Sequence, residues 1–291
     1  MSTSEIAALI SLIEDPDERI FHQVRSEIVA RGSEIIPQLE KYWEYNHYGV
    51  LFQERIEALI QSIHFNGIGE SLQNWSDSED SDLLEGALLI NRYQYPSYDE
   101  DEIRRNLSLL RQDIWLELND NLTAIEQVNV INHILYNVHG FSGNKANYGA
   151  PQNNFLSDVL SLKKGNPITL AVIYQVLANR LEIPIYGVNL PNHFILAYLD
   201  ENRMGMSPET CPDDGILFYI NPFSGGTIIH KSEIDAFLMH LELPQAVKYY
   251  QPCSSSTIIR RMINNLIYAF GQQGKTEKVD ELKQLLERIT E

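Results

Sequence analysis

The stretch from Gly165 to Leu199 constrains the fold more than any other part of the chain. Gly165-Asn166-Pro167 opens a run whose apolar side chains, at 168, 170 to 173, 176 to 178 and 181, cover most of a helix circumference. A helix that is apolar nearly all round is buried nearly all round. Asn166 suits the N-cap, and Pro167 suits the first helical position, where its missing N–H costs nothing. The spacing predicts a central helix over 168–182. After Pro184 the apolar period changes to two, and 185–190, 193–199, 216–220 and 227–229 read as strands. Pro191-Asn192, Asp213-Asp-Gly215 and Gly225-Gly226 separate them as turns, which predicts a small antiparallel sheet. The fold class is α+β, mostly helical.

Helices flank this core on both sides. Ile6, Leu9, Ile10 and Ile13 form one apolar stripe, broken at Asp15-Pro16-Asp17, and Ile20, Val24, Ile28 and Val29 form a second, ended by Gly32. Two more begin at Ile35 and at Leu51, so residues 1–66 read as a helical, HEAT-like segment. Residues 124–139 predict a further helix, followed by a loop from Gly140 to Pro151 rich in Gly, Asn and Pro. Ser232 is expected to cap a helix running to about His240. Residues 241–291 hold an αα-hairpin, TPR-like, with Ile258, Ile259, Met262, Ile263 and Leu266 on one stripe and Gly274 between its helices. Residues 67–240 remain as the core.

Charge narrows the partners. The chain carries 40 acidic and 22 basic residues, a formal net charge of −18. Such a surface repels phosphate backbones and anionic headgroups, so nucleic acid and membranes are not expected partners. No apolar run approaches a membrane span, and Met1 to Leu12 lacks the basic start of a signal peptide. Two cysteines, Cys211 and Cys253, make no disulfide framework and fit a reducing, cytoplasmic setting. Residues 70 to 120 hold 13 acidic and 4 basic side chains, half of the net charge. The runs Asp77–Asp82 and Asp99–Glu102 precede helical patterns, where carboxylates favour the positive end of the helix dipole. Neither has the Gly and distal Glu of an EF-hand loop. His133 and His139, six apart, share no helical face, so no metal is assigned, and no cofactor is expected.

Polar residues stand at defined points of the core. Gly165-Asn-Pro167 opens the helix, His193 begins a strand, and Asn221 follows the next one in Tyr219-Ile-Asn-Pro-Phe-Ser-Gly-Gly226. This order resembles the transglutaminase-like superfamily, whose catalytic cores carry Cys at a helix start, then His, then Asp or Asn on strands. More narrowly the chain resembles the SirB-type branch. The likeness rests on Gly143-Asn144, Tyr148, Pro151-Gln-Asn-Asn-Phe-Leu156, Asp158-Val-Leu160, Gly165-Asn-Pro-Ile-Thr-Leu170, Leu190-Pro-Asn-His-Phe194 and Asn221-Pro-Phe-Ser-Gly-Gly226, over roughly residues 84 to 270. It implies a transglutaminase-like, cysteine-proteinase-like core.

In the catalytic version the helix dipole lowers the thiol's pKa, His takes its proton, and Asp or Asn orients the imidazole. Counting back from Leu181-Glu-Ile-Pro184, the nucleophile position of the superfamily falls on Pro167, which has no nucleophile. Thr169 lies two residues further in, and neither Cys211 nor Cys253 occupies the helix start. His193 reads as a base, a ligand-binding residue, or a strand-end histidine satisfied by Asn221. Asn221 before Pro222 is equally a good turn former. Asn144, Asn153 and Asn154 read either as Asx turns or as a surface for recognising backbone. The groove is completed by Asn166, Pro167, Thr169 and Asn192.

The leading expectation is a non-catalytic pseudoenzyme, a regulatory module binding a protein or peptide through the groove, with His193 and Asn221 as vestigial catalytic residues. The alternative is a hydrolase or acyl-transfer enzyme using His193 with a nucleophile not identified. A third class is a structural helical scaffold, since both ends look repeat-like.

Overall fold

The computed structural model describes residues 3–44, 49–200 and 215–290. They form two units, residues 1–74 and 75–291. In the first, α1 (Thr3–Ser11) continues as a 3-10 turn to Glu14, and α2 (Glu18–Val29), α3 (Ile36–Glu44) and α4 (Val50–Ser76) follow. The apolar stripes meet in one core of Ile10, Ile13, Val24, Ile28, Leu39, Phe52, Ile56 and Leu59. Asp15-Pro16-Asp17 stops the first helix, and Asp17 caps the next by accepting from the Arg19 N–H at 2.9 Å. Arg55 closes the break. Its Nη1 donates to the carbonyls of Ile13 and Asp15, both at 2.7 Å, and its Nη2 to Glu18 at 2.7 Å. The guanidinium satisfies carbonyls that a terminated helix leaves open.

The second unit begins with α5 (Leu83–Gln94), α6 (Glu100–Glu117) and α7 (Ala124–Asn132). Asp82 and Asp99 from the two acidic runs cap α5 and α6, accepting from Glu85 N at 2.9 Å and Asp101 N at 3.0 Å. Thr123 and Glu126 form a capping box on α7. This helix widens into a π-helical turn over His133–Val138. Inside the expected loop, β1 (Ser142–Gly143) pairs in parallel with β2 (Lys164–Gly165), and between them lies α8 (Leu156–Leu162).

The central helix, α9, runs from Pro167 to Asn179 and is buried from Pro167 through Ala178. It ends three residues before the expected 182. Glu182 adopts φ 58°, and the Ile183 N–H turns back to Ala178 O at 2.9 Å, closing the chain into the first strand. Among the described residues the antiparallel sheet has the order β3 (Ile185–Val188), β4 (Ile195–Leu199), β5 (Ile216–Asn221) and β6 (Thr227–Ile229). Every residue of β4 is buried, because α9 packs on the sheet from one side and α10 (Lys231–His240) from the other.

His193 does not begin β4. It lies in the turn before it, where Asn192 takes φ 56° and the His193 N–H donates to Leu190 O at 3.1 Å, so pairing starts at Ile195. Nor does Ser232 cap α10. The helix starts one residue earlier, and Glu233 reaches back to accept the His230 N–H at 2.8 Å. Asp213 and Asp214 of the expected turn lie outside the described residues, as does Cys211. The chain ends in α11 (Ser255–Gln272) and α12 (Thr276–Glu287), joined through Gly274 at φ 71°. α11 packs on α5, on α9 and on the turn 151–154. No helix among the described residues is long and apolar enough to cross a membrane.

Candidate functional site

The start of α9 is tied to the loop before it by asparagines. Asn166 Oδ1 accepts the Thr169 N–H at 2.9 Å, and its Nδ2 donates to Asn154 Oδ1 at 2.6 Å. Asn154 donates to Pro151 O at 3.2 Å. Asn153 donates to the carbonyls of Asn147 and Tyr148, at 2.7 and 3.0 Å, and accepts from Asn144 Nδ2 at 2.8 Å. Asn144 also accepts from the Asn147 N–H at 3.2 Å. Asn153, Asn154 and Asn166 are buried. A buried amide left unbonded is costly, so these side chains fix the loop on the helix. Pro167 is buried beside them, and the Thr169 hydroxyl, 0% exposed, has no hydrogen-bond partner among the described residues.

His193 and Asn221 form the second cluster. Asn221 ends β5, and its Oδ1 accepts from the N–H groups of Phe223 and Ser224 at 3.1 and 3.3 Å, the Asx turn its position before Pro222 favours. The same side chain lies near enough to the His193 imidazole to favour its protonated form. Burial pulls the imidazole pKa below its usual value, the nearby Asn221 amide raises it in part, and the charge of Arg261 lowers it again. His193 is therefore a neutral ring near neutral pH, able to accept a proton or a hydrogen bond but not to act as a standing cation. Its ring centroid lies 6.4 Å from that of Phe237. Asn192 stands beside it, exposed.

The turn after Asn221 is held from two helices. Tyr136, carried by the π-helical turn, donates to Pro222 O at 3.0 Å. Asn132 donates to Gly226 O at 2.8 Å and accepts from the Tyr174 hydroxyl of α9 at 3.2 Å. Phe223 links the two clusters: it presses on Gly143, whose strand partner Gly165 precedes Asn166, and its ring meets Tyr148 edge-on at 5.6 Å. Asn132, Tyr136 and Tyr174 carry no motif of their own. Each acts through a partner at least 42 residues away, which no local pattern announces.

Arg261 of α11 borders the same place. Its charge acts on His193, and Tyr148 acts on it in turn. Burial pulls its pKa down from the usual guanidinium value. Cys253 lies apart, at the edge of β3, where its N–H donates to Gly187 O at 2.8 Å, and burial pushes its thiol up to about 12. No group of three His, Cys, Asp or Glu side chains among the described residues is placed to hold a metal ion. The arrangement combines a neutral imidazole near an amide, a cation, two aromatic rings and a helix start without a thiol.

Comparison with known proteins agrees with this architecture. The family described as the transglutaminase-like superfamily matches residues 101–264. A UPF0162 protein of Xylella fastidiosa (strain 9a5c) is 31% identical over 208 residues, 69% of each chain. The UPF0162 protein YchA of Escherichia coli (strain K12) is 26% identical over 202 residues, 67% of this chain and 69% of the other. F-box only protein 21 of Mus musculus is 25% identical over 266 residues, 84% of this chain but 39% of that protein. No solved structure matches the chain.

Proposed function

The chain belongs to the transglutaminase-like superfamily, and from that premise we propose that it is a non-catalytic binding module of the SirB-type branch. It takes up a peptide or protein segment in the groove where catalytic members of the superfamily carry out their chemistry, and it acts there as a regulatory protein. The observation that carries this reading is Pro167. It fills the helix start where the nucleophile belongs, is buried, and sits behind an Asn166 cap that already takes the Thr169 N–H. A helix start so closed neither presents a thiol nor lowers one's pKa. The Thr169 hydroxyl is no substitute, since at 0% exposure it meets no substrate without the core opening. The imidazole of His193 and the nearby amide of Asn221 nonetheless remain. A neutral ring near Phe237, with the Tyr148–Phe223 pair at the turn that follows Asn221, suits recognition of a peptide, with the imidazole bonding a backbone amide and the rings covering an apolar side chain.

Peptides selected by display on the purified protein test this directly. The double variant His193→Ala, Asn221→Ala should lose their binding while staying folded, with a melting temperature lowered by the lost turn bonds of Asn221, and the selected peptides should come back intact. Cleavage of those peptides, or a covalent adduct found by mass spectrometry, would transfer the assignment to a hydrolase or acyl-transfer enzyme using His193.

A further inference from the structure

We propose that Arg261 makes this groove a receptor for a carboxylate, so that its peptide ligand is held by a free carboxyl group. The inference rests on the peptide-binding reading above and names what that peptide must carry. Among the described residues, Arg31, Arg55, Arg92, Arg104, Arg260 and Arg261 are the arginines that are buried or half-buried. Five of them donate to protein oxygens: Arg55, Arg92 and Arg104 to carboxylates, Arg31 and Arg260 to carbonyls. Arg261 alone of this set has no acceptor among the described residues. In a chain with 40 acidic residues, a half-buried guanidinium left unpaired is against expectation, because withdrawing a charge from water costs free energy that a partner must offset.

Backbone packing places the part of α11 that carries this residue. Ile258, one turn earlier on α11, packs on Gly187 together with the ring of Phe194, the neighbour of His193. The same helix packs on the turn 151–154, whose Asn153 holds the Tyr148 carbonyl. The helix that carries Arg261 thus packs near both the His193 turn and the Tyr148 loop, and its charge is felt at His193. The helix start offers an anion little by comparison. Pro167 has no N–H, and that of Thr169 is taken by Asn166. Among the described residues the cation whose charge acts on His193 is Arg261, and its planar fork matches a carboxylate bidentately. A phosphate dianion would meet twice the repulsion from a chain of net charge −18, which favours the singly charged group. Tyr148, 53% exposed and stacked edge-on against Phe223, offers its face to an apolar side chain next to that carboxylate.

The test is an NMR titration of the full chain, following the His193 ring and the Arg261 Nε–H. The probes are N-acetyl-phenylalanine, its primary amide, and N-acetyl-aspartic acid α-amide. The free acid should give saturable shifts at both residues, and the amide should bind about tenfold more weakly or worse, the loss of one charge-assisted pair. The aspartate probe separates a side-chain carboxylate from a chain-terminal one as the source. Arg261→Gln should abolish the preference for acid over amide, while Arg261→Lys, which keeps the charge but not the fork, should retain part of it. Acid and amide acting alike on the wild type, or an undiminished preference in Arg261→Gln, would overturn the carboxylate assignment. Display-selected peptides would still bind in that case, so the groove reading would survive. If Arg261→Gln does not fold, the acid and amide comparison on wild type and Arg261→Lys decides the matter.

Discussion

The Oδ1 of Asn221 accepts the N–H groups of Phe223 and Ser224 while the same side chain favours the charged form of the His193 imidazole, so one amide both shapes a turn and tunes a ring. The pKa of that ring reports on its surroundings. Burial lowers it most, the Asn221 amide raises it, and the charge of Arg261 lowers it. Arg261→Gln should therefore move the His193 titration upward, toward about 6.5, and Asn221→Ala should move it further down. Imidazole proton shifts followed against pH in each variant measure both displacements. Opposite signs are required; a shift in the same direction for both would contradict the geometry.

The depressed pKa also sets a sign for stability. Below about 6.5 the unfolded chain protonates His193 before the folded chain does, so it binds more protons and unfolding gains with falling pH. The contribution is complete above the unfolded value and is lost as pH drops from there toward the folded one. His193→Gln should flatten this part of the stability profile. Urea melts of both proteins between pH 7.5 and about 4.5 give the comparison. Parallel profiles would mean that the ring titrates as freely as in the unfolded chain.

Gly226 and Gly143 set the turn that carries Asn221. Gly226 has φ 72°, and a methyl group there would fall 1.8 Å from Asn132 Oδ1. Gly226→Ala should break the Asn132 bond and destabilise by more than the roughly 1–3 kcal/mol of ordinary overpacking. At Gly143 a methyl group would meet the Phe223 ring and carbonyl at 2.6 Å. Gly143→Ala should cost about 1–3 kcal/mol and, by displacing Phe223, also disturb the His193 resonances. Thermal melts read the first effect and His193 NMR shifts the second.

Much of the core was legible because it depends on local pattern. The closed apolar circumference of 168 to 178 announced a buried helix, Asn166-Pro167 its start, and the change of period after Pro184 the sheet. The misplacements have physical reasons. α8 spans seven residues, too few for a helical period to stand out, and the ends of α9 and β4 are decided by left-handed Glu182 and Asn192. The asparagines of the loop were visible as a cluster, but whether they bind one another or a ligand depends on contacts up to 12 residues apart. Arg261 gave no signal, since a half-buried cation is defined by what surrounds it in space.

Leu177 tests the central helix as the element on which this site is built. It is 0% exposed, on the helix that packs against β3, β4 and α5. Leu177→Ala should cost about 2–5 kcal/mol, with the cavity adding to the lost transfer free energy. A melting temperature unchanged within error would remove α9 from the core.

The cysteines give the sharpest trial of the non-catalytic reading. With its thiol pushed up to about 12, Cys253 holds on the order of 10⁻⁵ of its population as thiolate at neutral pH. Iodoacetamide or a peptide vinyl sulfone at pH 7 should leave it unmodified in the folded protein and alkylate it once denaturant exposes it. Cys211, outside the described residues, should react at a rate that does not change in His193→Ala. Mass spectrometry of timed digests supplies both rates. Rapid labelling of Cys211 that slows when His193 is removed would mean that the imidazole activates a thiol, and Pro167 would then mark a displaced nucleophile instead of a lost one.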